Sequence, residues 1–283
     1  MATPHPRRAV KQTSRWTLLI AAIPAVPALA GLAWSVWAAG GGLEGAFAGR
    51  TILARVAEPL LWRSAAWSLT IALVATALAT GLAIAIALGY RGAASHDRVA
   101  RSLAALPLPV PPLVVGLGAV LLLSQSGVLA RVAAAFGWIA APVEMPILLH
   151  DARGLGLIAA LAWKEVGFLS LVACSIVAQL DPELAASART LGMPSRAVTR
   201  RVVLPLLWRG LAPSVVAVLV FVLGNYELAA LLGPADPLPL AVSIAERSRD
   251  AAPGALGEAH AAALLATLLA LLAVVVHERP GRR

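Results

Sequence analysis

The chain has 283 residues, of which 60% are hydrophobic and 13% charged, with a mean hydropathy of +0.84 and a formal net charge of +9. This balance excludes an ordinary water-soluble domain, whose charged share is about twice as large, and apolar runs of about 20 residues match the hydrocarbon thickness of a bilayer. A single cysteine, Cys174, lies inside such a run and excludes both a disulfide framework and a cysteine-ligated zinc site.

Six spans are predicted, over residues 16–38, 66–90, 103–125, 155–180, 211–233 and 259–277. The fold class is therefore an all-α membrane protein, with one membrane domain (16–277) between an N-terminal tail (1–15) and a C-terminal tail (278–283). The first span follows Arg7, Arg8, Lys11 and Arg15 and superficially resembles a secretory signal. Its length, Pro24 and Pro27, and the membrane-like remainder favour a retained helix.

Basic residues fix the expected orientation. Segments placed inside carry those four residues, then Arg91, Arg98 and Arg101, then Arg189, Arg196, Arg200, Arg201 and Arg209, then Arg279, Arg282 and Arg283. The opposite loops carry roughly half as many, so both termini are expected in the cytoplasm. Division of the charge among short loops also argues against a nucleic-acid-binding face.

Pro107, Pro109, Pro111 and Pro112 crowd the start of the third span and predict a break or kink there, serving either packing or a moving part of a pathway. In the fourth span, Lys164 and Glu165 are too costly to face lipid and must face protein or water. Asn225, Tyr226 and Glu227 form a second polar island in the fifth span. These five residues either line a translocation path or fix interhelical packing.

The loop at 181–210 reads as two short helices. Asp181 is a good N-cap, Pro182 suits the first helical position, and Glu183 complements the positive helix end. Gly192 supplies a stop and Pro194 discourages continuation. Ala185, Ala186 and Ala188 leave a small-side-chain surface that another protein could approach closely.

This segment resembles the coupling loop of ABC importer permeases, whose pattern is Glu-Ala-Ala, three residues, Gly, nine residues, Ile, one residue, Leu-Pro. Ala186, Ser187, Ala188, Gly192, Val202, Leu204 and Pro205 occupy those positions at the same spacing. The pattern's glutamate is Ala186 here, its first alanine Ser187 and its isoleucine Val202, and Glu183 lies one turn earlier as a substitute carboxylate. The proline-rich third span and the stretch from Gly224 to Gly233 resemble those of importers for polyamines, thiamine or ferric iron.

The resemblance implies a cytoplasmic coupling helix between spans 4 and 5, docked in a groove of an ATPase subunit with Arg189 and Arg196 at its rim. It implies an ATPase dimer, a second permease subunit, identical or homologous, and an extracytoplasmic substrate-binding protein, in a bacterial inner membrane. This chain lacks a Gly-x-x-x-x-Gly-Lys-Ser/Thr phosphate loop, so it is expected to bind no cofactor, with ATP and Mg on the partner ATPase.

Two other functions are open to a chain of this composition. An intramembrane protease needs a nucleophile and base at membrane depth, whereas His5, His96, His150, His260 and His277 lie in tails, loops or near span ends. An ion-coupled carrier using Lys164 and Glu165 as a relay is the stronger alternative, although only one proline-rich break is present where such carriers commonly show matched pairs.

Overall fold

The computed structural model describes residues 13–45, 49–89, 102–180, 187, 190 and 192–278. Among these, the helices are α1 (Thr13–Ala39), α2 (Gly49–Val56), α3 (Pro59–Gly89), α4 (Pro112–Leu123), α5 (Val128–Ala135), α6 (Leu155–Gln179), α7 (Ser195–Val198), α8 (Leu204–Leu223), α9 (Tyr226–Leu232), α10 (Leu240–Arg249) and α11 (Ala255–Glu278). Among the described residues, six helical stretches are long and apolar enough to cross a membrane, as expected. The chain divides into two compact units, residues 1–58 with 247–265 and residues 59–246 with 266–283.

In the first unit, Arg55 on α2 caps α1. Its guanidinium donates to the carbonyl oxygens of Ala38 (3.3 Å) and Ala39 (2.7 Å) and pairs with Glu44. A cation at these last carbonyls satisfies acceptors that lack helical donors and complements the negative helix end. Arg247 similarly bridges Glu58 and Glu258.

The core of the second unit is the pairing of α3 with α6. Ala72, Ala75, Ala79, Ala83 and Ala87 form a buried stripe at helical spacing on α3, against Leu157, Leu161, Leu169 and Ala173 of α6. Leu73, Val74, Leu78 and Leu82 on the other side of α3 are exposed. Lipid tails are as apolar as leucine, so close packing of small residues, and not exclusion of water, holds such helices together. The loop before α6 is pinned to α3, where Trp67 Nε1 donates to the Ala152 carbonyl at 2.8 Å. Asp151 accepts from the backbone of Arg153 and Leu155, capping the start of α6.

Three boundaries differ from the sequence expectation. The third span is interrupted near its start: residues 102–105 are helical, residues 106–111 form turns and extended backbone around the prolines, and helix resumes at Pro112. The second half of the 181–210 loop is not a separate short helix: α7, a π-helical stretch (Thr199–Val203) and α8 run on as one helical span, Ser195–Leu223. Widening to an i to i−5 bond, Leu204 N to Thr199 O, leaves room for the Pro205 ring, which would crowd the carbonyl of residue 201 in a regular helix. The expected fifth span, 211–233, is interrupted at Gly224 and Asn225.

Candidate functional site

The proline-rich turn ahead of α4 is held by α6. In an unbroken helix the carbonyls of Pro107 and Leu108 would accept from the nitrogens of residues 111 and 112, but both are prolines and carry no N–H. Lys164 Nζ donates to these two oxygens instead, at 3.1 and 3.2 Å. Gly167, one turn further along α6, makes the approach possible: a Cβ there would stand 3.2 Å from the Ala104 oxygen and 3.3 Å from Pro107 Cδ. Irregular backbone at membrane depth needs such substitute donors.

Glu165 points elsewhere. It is only 7% exposed, yet among the described residues its carboxylate makes no hydrogen bond or ion pair. It lines an open cavity of about 290 Å³ with Lys164, Phe168, Ala217 and Phe221.

At the end of α8, Gly224 closes one helix and Asn225 opens the next. Asn225 has extended backbone, and its Oδ1 accepts from Leu228 N at 3.0 Å, an N-cap for α9. The polar island predicted inside a span is thus a helix break. α9 packs on α4 through Gly116, where a Cβ would overlap Leu231. Tyr226 and Glu227, both exposed, line a second open cavity of about 560 Å³ with Pro112, Phe221 and Asn225. Phe221 borders both cavities, so the two polar groups predicted from sequence meet at one aromatic side chain.

Of the predicted coupling residues, Glu183, Ala186, Ala188 and Arg189 lie outside the described residues. Ser187 is helical, and its carbonyl accepts from Thr190 Oγ1 at 2.7 Å. Gly192 has a left-handed backbone (φ +82°), the conformation of a helix stop, and Pro194 caps α7. Arg196 is exposed on α7, and Pro205 stands at the start of α8.

Sequence reasoning missed Phe168 and Phe221, which look like ordinary apolar span residues. It also left Lys164 without a named partner, although the adjacent Pro111 and Pro112 already imply two carbonyls in need of a donor.

The sequence family described as the binding-protein-dependent transport system inner membrane component matches residues 81–279. No curated protein matches the chain significantly. Among solved structures, it is similar to a chain of a bacterial alginate ABC transporter in complex with an alginate pentasaccharide-bound periplasmic protein. The identity is 19%, with 98% of each chain covered and a TM-score of 0.71. It is also similar to a chain of a bacterial ABC transporter involved in import of the acidic polysaccharide alginate, at 20% identity, with 98% of this chain and 99% of that chain covered and a TM-score of 0.69. These likenesses show a shared fold, and the family match sets aside the protease and ion-coupled carrier. The chain therefore belongs to the binding-protein-dependent transport system inner membrane component family, as the multi-pass permease subunit of an ATP-driven importer.

Proposed function

We propose that this subunit forms one wall of a solute path in which Lys164, Glu165, Asn225, Tyr226 and Glu227 lie along the passage, with Lys164 holding the proline-rich turn in shape. The observation that carries this reading is Glu165, a buried intramembrane carboxylate that makes no hydrogen bond or ion pair among the described residues and lines an open cavity beside Lys164. Such a group faces water or another protein, not lipid.

The family match supports the remaining machinery. Two cytoplasmic ATPases carrying ATP and Mg dock on the loop around Gly192, and Glu183, Ala186, Ser187, Ala188, Arg189, Arg196 and Pro205 belong to the coupling region. A second permease subunit completes the passage, and a soluble binding protein delivers solute from outside. Both termini lie in the cytoplasm, a placement that the arginine distribution supports.

A tagged pull-down from detergent-solubilised membranes tests the coupling. Wild type should co-purify with an ATPase, and Gly192→Val, inserted to the same level, should lose it, because a β-branched residue does not take the left-handed backbone of Gly192. Retention of the ATPase by the variant would remove this loop from the contact. In proteoliposomes, uptake that requires ATP and the binding protein completes the test.

A further inference from the structure

We propose that the start of the fifth span carries a binding site for an anionic phospholipid of the inner leaflet, in which Arg200, Arg201 and Arg209 hold the phosphate-bearing headgroup beside Trp208. The inference goes beyond the path reading and rests only on the cytoplasmic placement of the 181–210 loop.

Between Glu183 and Glu227 the chain has five arginines and no acidic residue. Arg200 and Arg201 lie on the π-helical turn, and Arg209 lies on α8 about two turns further along. All three are exposed, and none makes a side-chain hydrogen bond or ion pair among the described residues.

Depth selects the partner. The helical stretch Ser195–Leu223 has 29 residues, so it is about 43 Å long and outruns a hydrocarbon core of about 30 Å. Its outer end is the break at Gly224 and Asn225. About 20 residues counted back from Leu223 reach Leu204, which sets Arg200 and Arg201 at the level of the inner phosphates. Arg209 starts about one turn and a half deeper, and its long side chain must extend back towards the headgroups, because lipid tails do not solvate a guanidinium. Trp208, 48% exposed, stands beside it as the amphipathic ring that membrane interfaces favour.

A phosphodiester offers charged oxygens that guanidinium groups bind through strong charge-assisted hydrogen bonds. Retention of this loop in the cytoplasm requires positive residues but no shared depth. A docked ATPase is a water-soluble body that stops at the headgroups, so Arg209, roughly 20 Å along the helix from Ser195, is beyond its reach.

The test uses the assembled transporter in vesicles, with Cys174, the chain's only cysteine, replaced by alanine. Trp208→Cys carries a bimane fluorophore at the lipid-facing position. Its quenching is compared between brominated phosphatidylglycerol diluted in phosphatidylcholine and the same fraction of brominated phosphatidylcholine diluted in its unbrominated form. We expect phosphatidylglycerol to be enriched at this position at least about fivefold, the attraction that a single surface arginine supplies. The enrichment should disappear when Arg200, Arg201 and Arg209 are all changed to glutamine and persist when all are changed to lysine. Co-purification of the ATPase checks assembly of each variant, and protection of Ser195→Cys from an impermeant maleimide outside intact spheroplasts checks its orientation.

Equal quenching by the two lipids, or an enrichment unchanged in the glutamine variant, would overturn the site while leaving the permease reading intact. No quenching by either lipid would show this face covered by protein and also overturn it. Loss of the enrichment on adding inorganic phosphate, at an ionic strength where chloride has no effect, would assign the arginines to free phosphate instead of lipid. Labelling of Ser195→Cys from outside would overturn the orientation, and the inner-leaflet assignment with it, whatever the lipid ratio.

Discussion

Lys164 on α6 donates to the carbonyls of Pro107 and Leu108, the two groups whose helical donors are deleted by Pro111 and Pro112. The charge supports a break in the neighbouring segment, so one residue couples a helix of the core to a stretch of irregular backbone. This gives an intramembrane lysine a structural role next to its cavity position.

Lys164→Met should destabilise the assembled subunit by about 2–3 kcal/mol, the range for losing charge-assisted hydrogen bonds and leaving acceptors unsatisfied. Lys164→Arg should recover part of the loss. Combining Lys164→Met with Pro111→Ala and Pro112→Ala should also recover part, because the two amides become available again. Thermal unfolding of the purified complex measures each step, and equal melting of wild type and Lys164→Met would refute the account.

Asn225 and Glu227 are neighbours with separable effects. Asn225→Ala removes the N-cap of α9 and should cost about 1 kcal/mol, while Asn225→Asp should cost less, since it keeps an acceptor. Glu227→Gln should leave stability and ATPase assembly unchanged and reduce ATP-driven uptake several-fold. Unchanged uptake by Glu227→Gln would take this side chain off the path.

Gly192 adopts φ +82° with open space around its Cβ position, so only backbone conformation opposes substitution. Gly192→Asn should retain most ATPase co-purification, because asparagine tolerates the left-handed region, and Gly192→Val should lose most of it. Equal retention by both variants would show that the turn is not needed for docking.

Gly257 faces Arg55 in the first unit, and a Cβ there would overlap the guanidinium. Gly257→Ala should displace Arg55 from the Ala38 and Ala39 carbonyls and cost about 1–3 kcal/mol. Arg55→Lys should cost less than Arg55→Ala, since a lysine keeps a charge near the helix end. A Gly257→Ala melting curve identical to wild type would contradict this packing.

The class of molecule is legible in the amino-acid order alone. Length and hydropathy specify six spans because a bilayer selects on just those quantities, and the match from Ser187 through Gly192 to Pro205 pointed to an importer permease because turn chemistry is local. It also announced the break at the proline cluster, since a missing N–H is a property of the residue. What the polar residues touch depends on how the helices pack. Lys164 and Glu165 are adjacent in sequence, but successive helix positions point about 100 degrees apart, so one reaches carbonyls of another segment and the other reaches a cavity. The split at Gly224 and Asn225 could have been suspected from a glycine beside a capping residue. That its polar group meets the Glu165 cavity at Phe221 depends on how α8 packs beside α6, which no local pattern encodes.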